Sequence, residues 1–443
     1  MSIVSVKPRF IISDLHLGEG LHSRHEDFDQ EATEDFVQFL KELSSLGGAR
    51  LIINGDLIDF PQIHLESKSA PPQKFLGTTE SESTLRLQKA IAGHPEVFTA
   101  LETFLDGHDN ELVLIPGNHD IDFAWNRVLN TFTQRIGATH RNFKFGLVYK
   151  EGGLFVIHGH QYSDDNQIET PINFTFNRLN SCWGTYFVEH FFNSLEERYP
   201  LLDNARPMWK AALSALLCDD ILVTGEFAAE LLIFLKNFRI PLKDYVRTFI
   251  MGWQPKTRSL RHRDVESLTH DFKIHAVRER IQELCGNPDF KREFDKVFQD
   301  LSEMQWEQLF SRYNGSDYEL QDFLQNIESR PQSRGFFHRT DNYQEASKLI
   351  ARHHQDVRAV IMGHTHEGMD AERFTASNGT GEFSYFNSGT WTKSCDIPWW
   401  KLPSFESLVD PSEYTQNSSV LRCTGEDEKL DVSYFGTWKE AMS

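Results

Sequence analysis

Residues 9–18 read RFIISDLHLG, a short β-branched run that leads directly into Asp14 and His16. The run Arg9–Ser13 predicts a buried opening strand, and Gly18 follows the two polar residues. Carboxylate and imidazole side chains are common metal ligands, although a strand-end aspartate also serves as a helix cap. The choice between a metal ligand and a helix cap therefore depends on whether similar motifs recur along the chain.

The same arrangement of an apolar strand followed by a polar motif recurs four times. Leu51–Asn54, Glu111–Ile115, Leu154–Ile157 and Ala359–Met362 all read as strands. The five motifs are Asp14-Leu15-His16, Gly55-Asp56, Gly117-Asn118-His119-Asp120, His158-Gly159-His160 and Gly363-His364-Thr365-His366. Because the strands alternate with helical patterns such as Glu31–Leu46, the sequence predicts an α/β fold with a largely parallel sheet. The carboxyl edge of that sheet would gather the motifs.

The residue types of the motifs favour metal chemistry. Carboxylate, imidazole and amide groups form a mixed nitrogen and oxygen set, without thiolate, that suits Mn, Fe, Zn or Co. Two such ions a few ångströms apart, bridged by one carboxylate, acidify a bridging water toward neutrality for in-line displacement at phosphorus. The glycines beside the motifs allow the backbone to approach the ions closely. No serine or cysteine nucleophile is then required.

In this order, the motifs resemble the calcineurin-like metallophosphoesterase superfamily over residues 9–164 and about 340–392. The resemblance implies a four-layer αββα sandwich and two divalent metal ions, Mn²⁺ above all. By motif position it implies one ion on Asp14, His16 and His366, the other on Asn118, His158 and His364, and Asp56 as the bridge. It further implies that His119 is the general acid or the group that polarises the phosphate, oriented by Asp120.

Within the superfamily, the pattern is similar to bacterial pyrophosphatases that act on UDP-2,3-diacylglucosamine. Those proteins also open with a strand and SDLHLG, and they carry helices between the HG motif and the final GHTH. They typically have arginine at the position of His119, and their helical insertion is far shorter. The resemblance therefore implies the reaction class but not the substrate.

The chain divides into three parts. Residues 1–164 and 340–443 are predicted to form two parts of one metallophosphoesterase core, and residues 165–339 a helical insertion. The insertion holds nearly half of the 35 phenylalanines. It is either a cap that reads the leaving group or a helical bundle whose phenylalanines fill its own core.

Five residues are candidates for substrate binding. Arg258 and Arg261 lie in a basic cluster of the insertion, and guanidinium groups suit bidentate phosphate contacts, although a solvated loop explains the cluster equally well. Trp391 is a candidate for stacking on a base or sugar, with hydrophobic packing as the alternative. His22 is a candidate phosphate contact in a loop. His160 is a candidate metal ligand or a residue just behind the ligands.

Composition narrows the function classes. The chain has 443 residues, with 45 Lys+Arg against 65 Asp+Glu, and its formal net charge of −20 argues against a surface that wraps duplex DNA. No apolar run is long enough to cross a membrane, and the N-terminus does not read as a signal peptide. The five cysteines show no CxxC spacing, so we expect buried thiols and a cytoplasmic location.

The leading functional prediction is a metal-dependent hydrolase of a phosphodiester or pyrophosphate bond in a nucleotide- or lipid-linked small substrate. One alternative is a nuclease acting on single-stranded or end-containing nucleic acid, which the basic cluster in the insertion keeps open. Another is a non-catalytic scaffold of the same fold. The filled set of seven ligand positions argues against the scaffold.

Overall fold

Two β-sheets organise the protein. The computed structural model describes residues 7–238 and 339–443, apart from short gaps at 67–70, 72–74, 108, 164–165, 169–170, 174, 207–209, 212–213, 216, 376–381 and 398–401. The larger sheet has six strands, in the spatial order β16 (Asp431–Phe435), β15 (Val420–Thr424), β1 (Arg9–Ile12), β2 (Arg50–Asn54), β3 (Glu111–Ile115) and β4 (Phe143–Phe145). Strands β1 to β4 run parallel, while β15 and β16 are antiparallel additions beside β1.

The smaller sheet has five strands. Their order is β11 (Met369–Thr375), β12 (Glu382–Asn387), β10 (Ala359–Met362), β6 (Leu154–Ile157) and β5 (Val148–Glu151). A three-stranded sheet joins β14 (Thr415–Gln416), β13 (Lys393–Asp396) and β9 (Ala205–Arg206), and a short hairpin pairs β7 (Ile172–Asn173) with β8 (Arg178–Leu179). The β9 strand thereby ties residues of the predicted insertion to the C-terminal part of the chain.

In the described residues, the helices lie between these strands in sequence, except that α10 follows the last strand. They are α1 (Gln30–Ser45), α2 (Glu80–Gly93), α3 (Pro95–Asp106), α4 (Asn126–Arg135), α5 (Trp183–Phe187), α6 (Asn193–Glu196), α7 (Ile221–Phe238), α8 (Arg339–His353), α9 (Phe405–Leu408) and α10 (Trp438–Met442). Asp29 caps α1 by accepting a hydrogen bond from the Ala32 amide, and Thr79 forms a capping box with Glu82 at the start of α2. None of the helices in the described ranges is long and apolar enough to span a membrane.

Strand alternation distributes the apolar side chains of the two main sheets among three of the four buried clusters in the described residues. Phe10 of β1 packs with α1 and its neighbours, whereas Ile11 lies in a cluster that strands of both sheets share. On β6, Val156 joins that shared cluster, and Ile157 packs instead with Ile350 of α8. The observed structure is therefore a mixed α/β arrangement of several sheets and helices, as the alternating sequence pattern predicts.

Two local expectations need correction. The sequence of the last 35 or so residues is polar and weakly patterned, yet β15 and β16 complete the larger sheet, with Leu421 opposite Ile11. The apolar run at Val420-Leu421 is too short to stand out in a sequence, and its pairing with β1 depends on tertiary contacts. The sequence pattern of Phe187–Glu197 predicts one long helix, but this stretch divides among the end of α5, a π-helical turn at Val188–Phe192 and α6.

The described start of the predicted insertion packs on the C-terminal part of the chain. Phe187, Phe191 and Phe192 share a buried cluster with Ile397 and Phe405. These phenylalanines consequently serve a contact between two distant stretches of sequence. Arg258 and Arg261, together with the basic cluster around them, lie outside the described residues.

Of the two roles open to Trp391, stacking on a ligand is contradicted. Its side chain has no exposed surface, and its ring packs against Phe36 and Phe39 at centroid distances of 5.6 and 5.5 Å. Its Nε1 donates a hydrogen bond to the Ser419 carbonyl at 3.0 Å. Trp391 is a core residue, as the packing alternative predicted.

Trp391→Ala should lower the free energy of unfolding by about 3–5 kcal/mol, because it leaves a cavity among aromatic rings. Trp391→Phe should cost less, since it keeps one aromatic ring in the core and loses the remaining ring volume and the hydrogen bond to Ser419. Urea unfolding followed by circular dichroism measures both effects. Leu222→Ala, at a side chain that is 72 % exposed, is the control. An alanine variant as stable as the parent protein would contradict this account.

Candidate metal centre

The five motifs meet at one edge of the two sheets because the backbone continues to pair beyond the strands. The amide of Leu15 donates to the Asp56 carbonyl at 2.9 Å, and the amide of Asp59 donates to the Leu17 carbonyl at 2.9 Å. The first two motifs are therefore held side by side. The amide of His364 donates to Oδ2 of Asp14 at 3.1 Å, which joins the last motif to the first.

Five candidate ligands have left-handed backbone conformations. The φ angles are +56° at Asp14, +52° at His16, +53° at Asp56, +68° at His364 and +58° at His366. Such conformations cost on the order of 1–3 kcal/mol each in residues other than glycine, and they cluster at functional sites. The surrounding hydrogen bonds must therefore hold this edge of the fold in a strained arrangement.

Glycines beside the ligands leave room for them. A Cβ at Gly117 would lie 2.1 Å from Oδ1 of Asp56, and a Cβ at Gly55 would lie 2.1 Å from Nδ1 of His158. Gly55 also has a φ of +89°, which disfavours any other residue. The glycines that flank the motifs are thus required for the close approach of backbone and ligand.

The first cluster consists of Asp14, His16 and His366, whose ligand atoms lie within 4.8 Å of one another. Nε2 of His366 is 3.2 Å from Oδ1 of Asp14 and 3.1 Å from Nε2 of His16. The Nδ1 atom of His16 is bonded instead to Oδ2 of Asp59, at 2.6 Å. This pairing fixes the ring and turns its Nε2 toward the cluster, as second-layer carboxylates do for metal-binding histidines.

The second cluster consists of Asp56, His158 and His364, again within 4.8 Å. Nδ1 of His158 lies 2.7 Å from the Asn54 carbonyl, which only accepts, so Nδ1 carries the proton. In the neutral ring, the Nε2 lone pair then faces Oδ2 of Asp56 at 3.1 Å. A lone pair directed at a carboxylate is a stable arrangement when a cation lies between them.

Asp56 lies between the two clusters. Its Oδ2 is 3.1 Å from Nε2 of His158 in the second cluster and 3.9 Å from Nε2 of His16 in the first. Its Oδ1 accepts a hydrogen bond from the His119 amide at 2.8 Å. This position corresponds to the bridging role that the sequence motifs imply.

The donor set fits divalent metal ions. Oδ1 of Asn118 and Oδ1 of Asp14 are buried without a hydrogen-bond partner, although buried polar atoms normally have one. Imidazole nitrogens together with carboxylate and amide oxygens are ligands that Mn, Fe, Zn and Co accept. Unpartnered acceptors beside two buried carboxylates are what a cation site requires.

The prediction that Asp120 orients His119 is wrong. Nδ1 of His119 lies 2.9 Å from Oδ2 of Asp59, whereas Asp120 accepts backbone hydrogen bonds from Gly117 at 2.6 Å and Leu57 at 2.8 Å. Asp120 therefore holds the loop of its own motif, and Asp59 is shared by His119 and His16. The physical reason is that adjacent residues in a tight turn direct their side chains apart, while strand pairing brings Asp59 alongside.

Electrostatics distinguish the two aspartates. Burial alone lowers the pKa of His119, but the neighbouring Asp59 carboxylate outweighs it and raises that pKa to about 10. Burial works to raise the pKa of Asp59, yet the imidazoles of His119 and His16 hold it below its usual range. For Asp120, burial and then the charge of Asp56 raise the pKa to about 7. The His119–Asp59 pair favours a protonated imidazole.

The other sequence candidates have different surroundings. The His160 ring is buried beside the second cluster, 5.4 Å from the His158 ring and 6.4 Å from the His364 ring, and both of its nitrogens lack a hydrogen-bond partner. Burial, reinforced by the charge of His158, lowers the pKa of His160 to about 3. His22 is exposed in the loop between β1 and α1.

Three residues at the centre were not singled out from the sequence. Asp59 lies three residues after Asp56, and this spacing within one motif could have revealed it. Nδ2 of Asn166 lies 3.1 Å from Nε2 of His364, and Arg206 donates from Nη1 to the His366 carbonyl at 2.8 Å. No short-range sequence pattern predicts the roles of Asn166 and Arg206, because about 160 to 200 residues separate them from their partners.

Two aspartate-histidine clusters around a shared carboxylate define a candidate dinuclear metal site in a mixed α/β fold. The family model described as calcineurin-like phosphoesterase matches residues 8–211, a range that contains the first four motifs. This match supports the superfamily that the motifs resemble, and a domain of this kind implies a metal-dependent phosphoesterase. No curated protein and no solved structure gives a significant match to the chain.

Gly117→Ala should displace the Asp56 carboxylate and reduce the amount of metal that the protein binds, because the new Cβ would lie 2.1 Å from Oδ1. Elemental analysis after incubation with Mn²⁺ and desalting measures this. The matched control is Gly146→Ala, where the Cβ would meet only the Val148 carbonyl at 3.6 Å. Equal metal content in both variants would show that Gly117 is not needed for the site.

Proposed function

We propose that this protein hydrolyses a phosphodiester or pyrophosphate bond with two divalent metal ions, Mn²⁺ above all, bound at the candidate centre. The observation that carries the proposal is the position of the Asp56 carboxylate between two clusters of metal-binding side chains. A dinuclear arrangement of this kind is typical of in-line displacement at phosphorus.

The ligands divide between two ions. One ion would be held by Asp14, His16 and His366, and the other by Asn118, His158 and His364, with Asp56 shared. When bound, the ions supply Lewis-acid stabilisation of the phosphoryl group and a nucleophilic water at neutral pH. Asp59 fixes the His16 ring, and Asn54 fixes the His158 ring, so both histidines face the ions in one tautomer.

His119 provides the proton for the leaving group. Its ring contacts the His16 ring edge to face at 4.7 Å, so it stands beside the first cluster. Asp59 binds Nδ1 and thereby directs Nε2 away from itself. An imidazolium held by a carboxylate suits protonation of a departing oxygen, and the carboxylate both orients the ring and favours its charged form.

The fold and the substrate class complete the proposal. We propose that the two sheets, which share one buried cluster, form the inner layers of a four-layer αββα sandwich. Residues 165–339 would be inserted into it as a cap. The substrate would be a small molecule with a nucleotide or lipid attached to the scissile phosphate. The formal net charge of −20 supports a small substrate over long nucleic acid.

Asp56→Asn should abolish hydrolysis of bis(p-nitrophenyl) phosphate, because the loss of one shared charge weakens both ion sites together. Metal content and turnover with added Mn²⁺ measure the two effects separately. Asp122→Asn is the control, since Asp122 is equally buried and bonds to Thr78 outside both clusters. An Asp56→Asn protein that keeps two ions and full turnover would refute the proposed centre.

His119→Ala should keep its metal content and lose turnover, with the smallest loss on substrates whose leaving groups are good. Good leaving groups need little protonation, so a series of aryl phosphodiesters graded by phenol pKa measures the dependence. His140→Ala, in an exposed loop, serves as the control. A loss that is the same across the series would exclude His119 as the acid.

A further inference from the structure

Arg206 belongs to the predicted insertion but lies at the candidate metal centre. It is part of β9, where it stands opposite Asp396 of β13, and its carbonyl accepts from the Ile397 amide at 2.7 Å. This pairing fixes the backbone. Its Nη1 then donates to the backbone carbonyl of the ligand His366 at 2.8 Å. One side of the guanidinium is therefore anchored on the last metal-binding motif.

The other side of this guanidinium has no partner. Nη2 of Arg206 is buried and makes no hydrogen bond within the described part of the chain. Among the buried arginines of the described ranges, Arg86 pairs with Glu189 at 2.8 Å and Arg178 with Glu82 at 3.3 Å, while Arg9 donates from two guanidinium nitrogens to the Glu151 and Gly425 carbonyls. Burying a cationic group without a partner is costly, so its presence calls for an explanation.

Carboxylates in the neighbourhood do not provide that explanation. Asp396, Glu367 and Asp14 are close enough to influence the guanidinium, yet none of them forms an ion pair with Arg206 among the described contacts. The charge of Asp14 would moreover be directed to a metal ion. A hydrogen bond to the His366 carbonyl needs only a neutral donor, and a cation beside two dications is electrostatically unfavourable. An anion bound beside the metal ions would compensate the charge of Arg206.

We propose that Arg206 binds an anionic phosphoryl oxygen of the substrate, with Nη1 anchored on His366 and Nη2 available to the anion. This inference rests on the proposed function. Guanidinium groups form strong charge-assisted hydrogen bonds to phosphoryl oxygens and remain charged at all relevant pH values. The oxygen belongs either to the phosphate under attack or to a second phosphate of a pyrophosphate substrate.

The test compares Arg206→Gln with the parent protein, both loaded with Mn²⁺. Glutamine keeps an N–H donor for the His366 carbonyl and removes the charge. We expect two ions to remain bound, while KM for bis(p-nitrophenyl) phosphate and for UDP-glucose rises about 10- to 100-fold, the usual effect of one charge-assisted hydrogen bond. Calorimetric binding of inorganic phosphate and inorganic pyrophosphate should weaken by a similar factor.

The two substrates distinguish the source of the oxygen. An equal rise in KM for the diester and the pyrophosphate supports contact with the phosphate under attack. A rise confined to UDP-glucose and to pyrophosphate binding supports contact with a second phosphate. Arg206→Lys should recover part of the affinity, because lysine restores the charge without the planar donor pair.

Other outcomes overturn the inference. If Arg206→Gln binds phosphate, pyrophosphate and both substrates as the parent does, Arg206 only supports the backbone of His366. If the variant loses metal and activity together, Arg206 supports the metal centre through the His366 backbone and has no role toward the substrate. A parent protein that binds metal but hydrolyses neither substrate would count against the proposed function instead, and the phosphate-binding comparison would still decide the role of Arg206. Arg198→Gln, at an exposed arginine paired with Glu226, is the control.

Discussion

The convergence of two buried carboxylates, Asp14 and Asp56, is the constraint on which the rest of the structure depends. Both side chains are essentially without solvent exposure, and in a low-dielectric interior like charges repel strongly. The imidazoles of His366 and His158 are oriented toward them at 3.2 and 3.1 Å. Divalent cations bound between these groups would compensate the two desolvated charges.

The fold supports this arrangement through rigidity. Left-handed backbone at five candidate ligands is unfavourable for each residue taken alone, and short strands by themselves would relax from it. Buried apolar clusters on the two sheets, one of them shared by strands of both sheets, provide the support. The motifs can be short because the strands that precede them are almost entirely buried and fix the position of the residues that follow. Trp391 links the core to the centre directly, because its ring packs in the core while its backbone amide donates to the Asp14 carbonyl at 3.1 Å.

Sequence alone predicted the strands that carry the motifs and the side chains that meet at their ends, because both depend on local patterns. Glu111–Ile115 and Ala359–Met362 were predicted with the bounds that the structure has. The partner of His119 was not predicted, since Asp120 is adjacent in sequence while Asp59 is adjacent in space. The strands at the C-terminus were missed for a similar reason. Their apolar residues are few, and their place in the sheet comes from pairing with β1.

The described start of the predicted insertion is connected to the centre at several points, and this affects how the molecule can work. Asn166 contacts His364, Thr185 donates from Oγ1 to the Asn118 carbonyl at 3.4 Å, and Arg206 donates to the His366 carbonyl. Glu196 binds His25 in the loop that follows the first motif, at 3.0 Å. A segment with this many contacts to the metal-binding loops cannot shift without moving the ligands. Any rearrangement of these residues on substrate binding is therefore coupled to the geometry of the metal centre, and reciprocally.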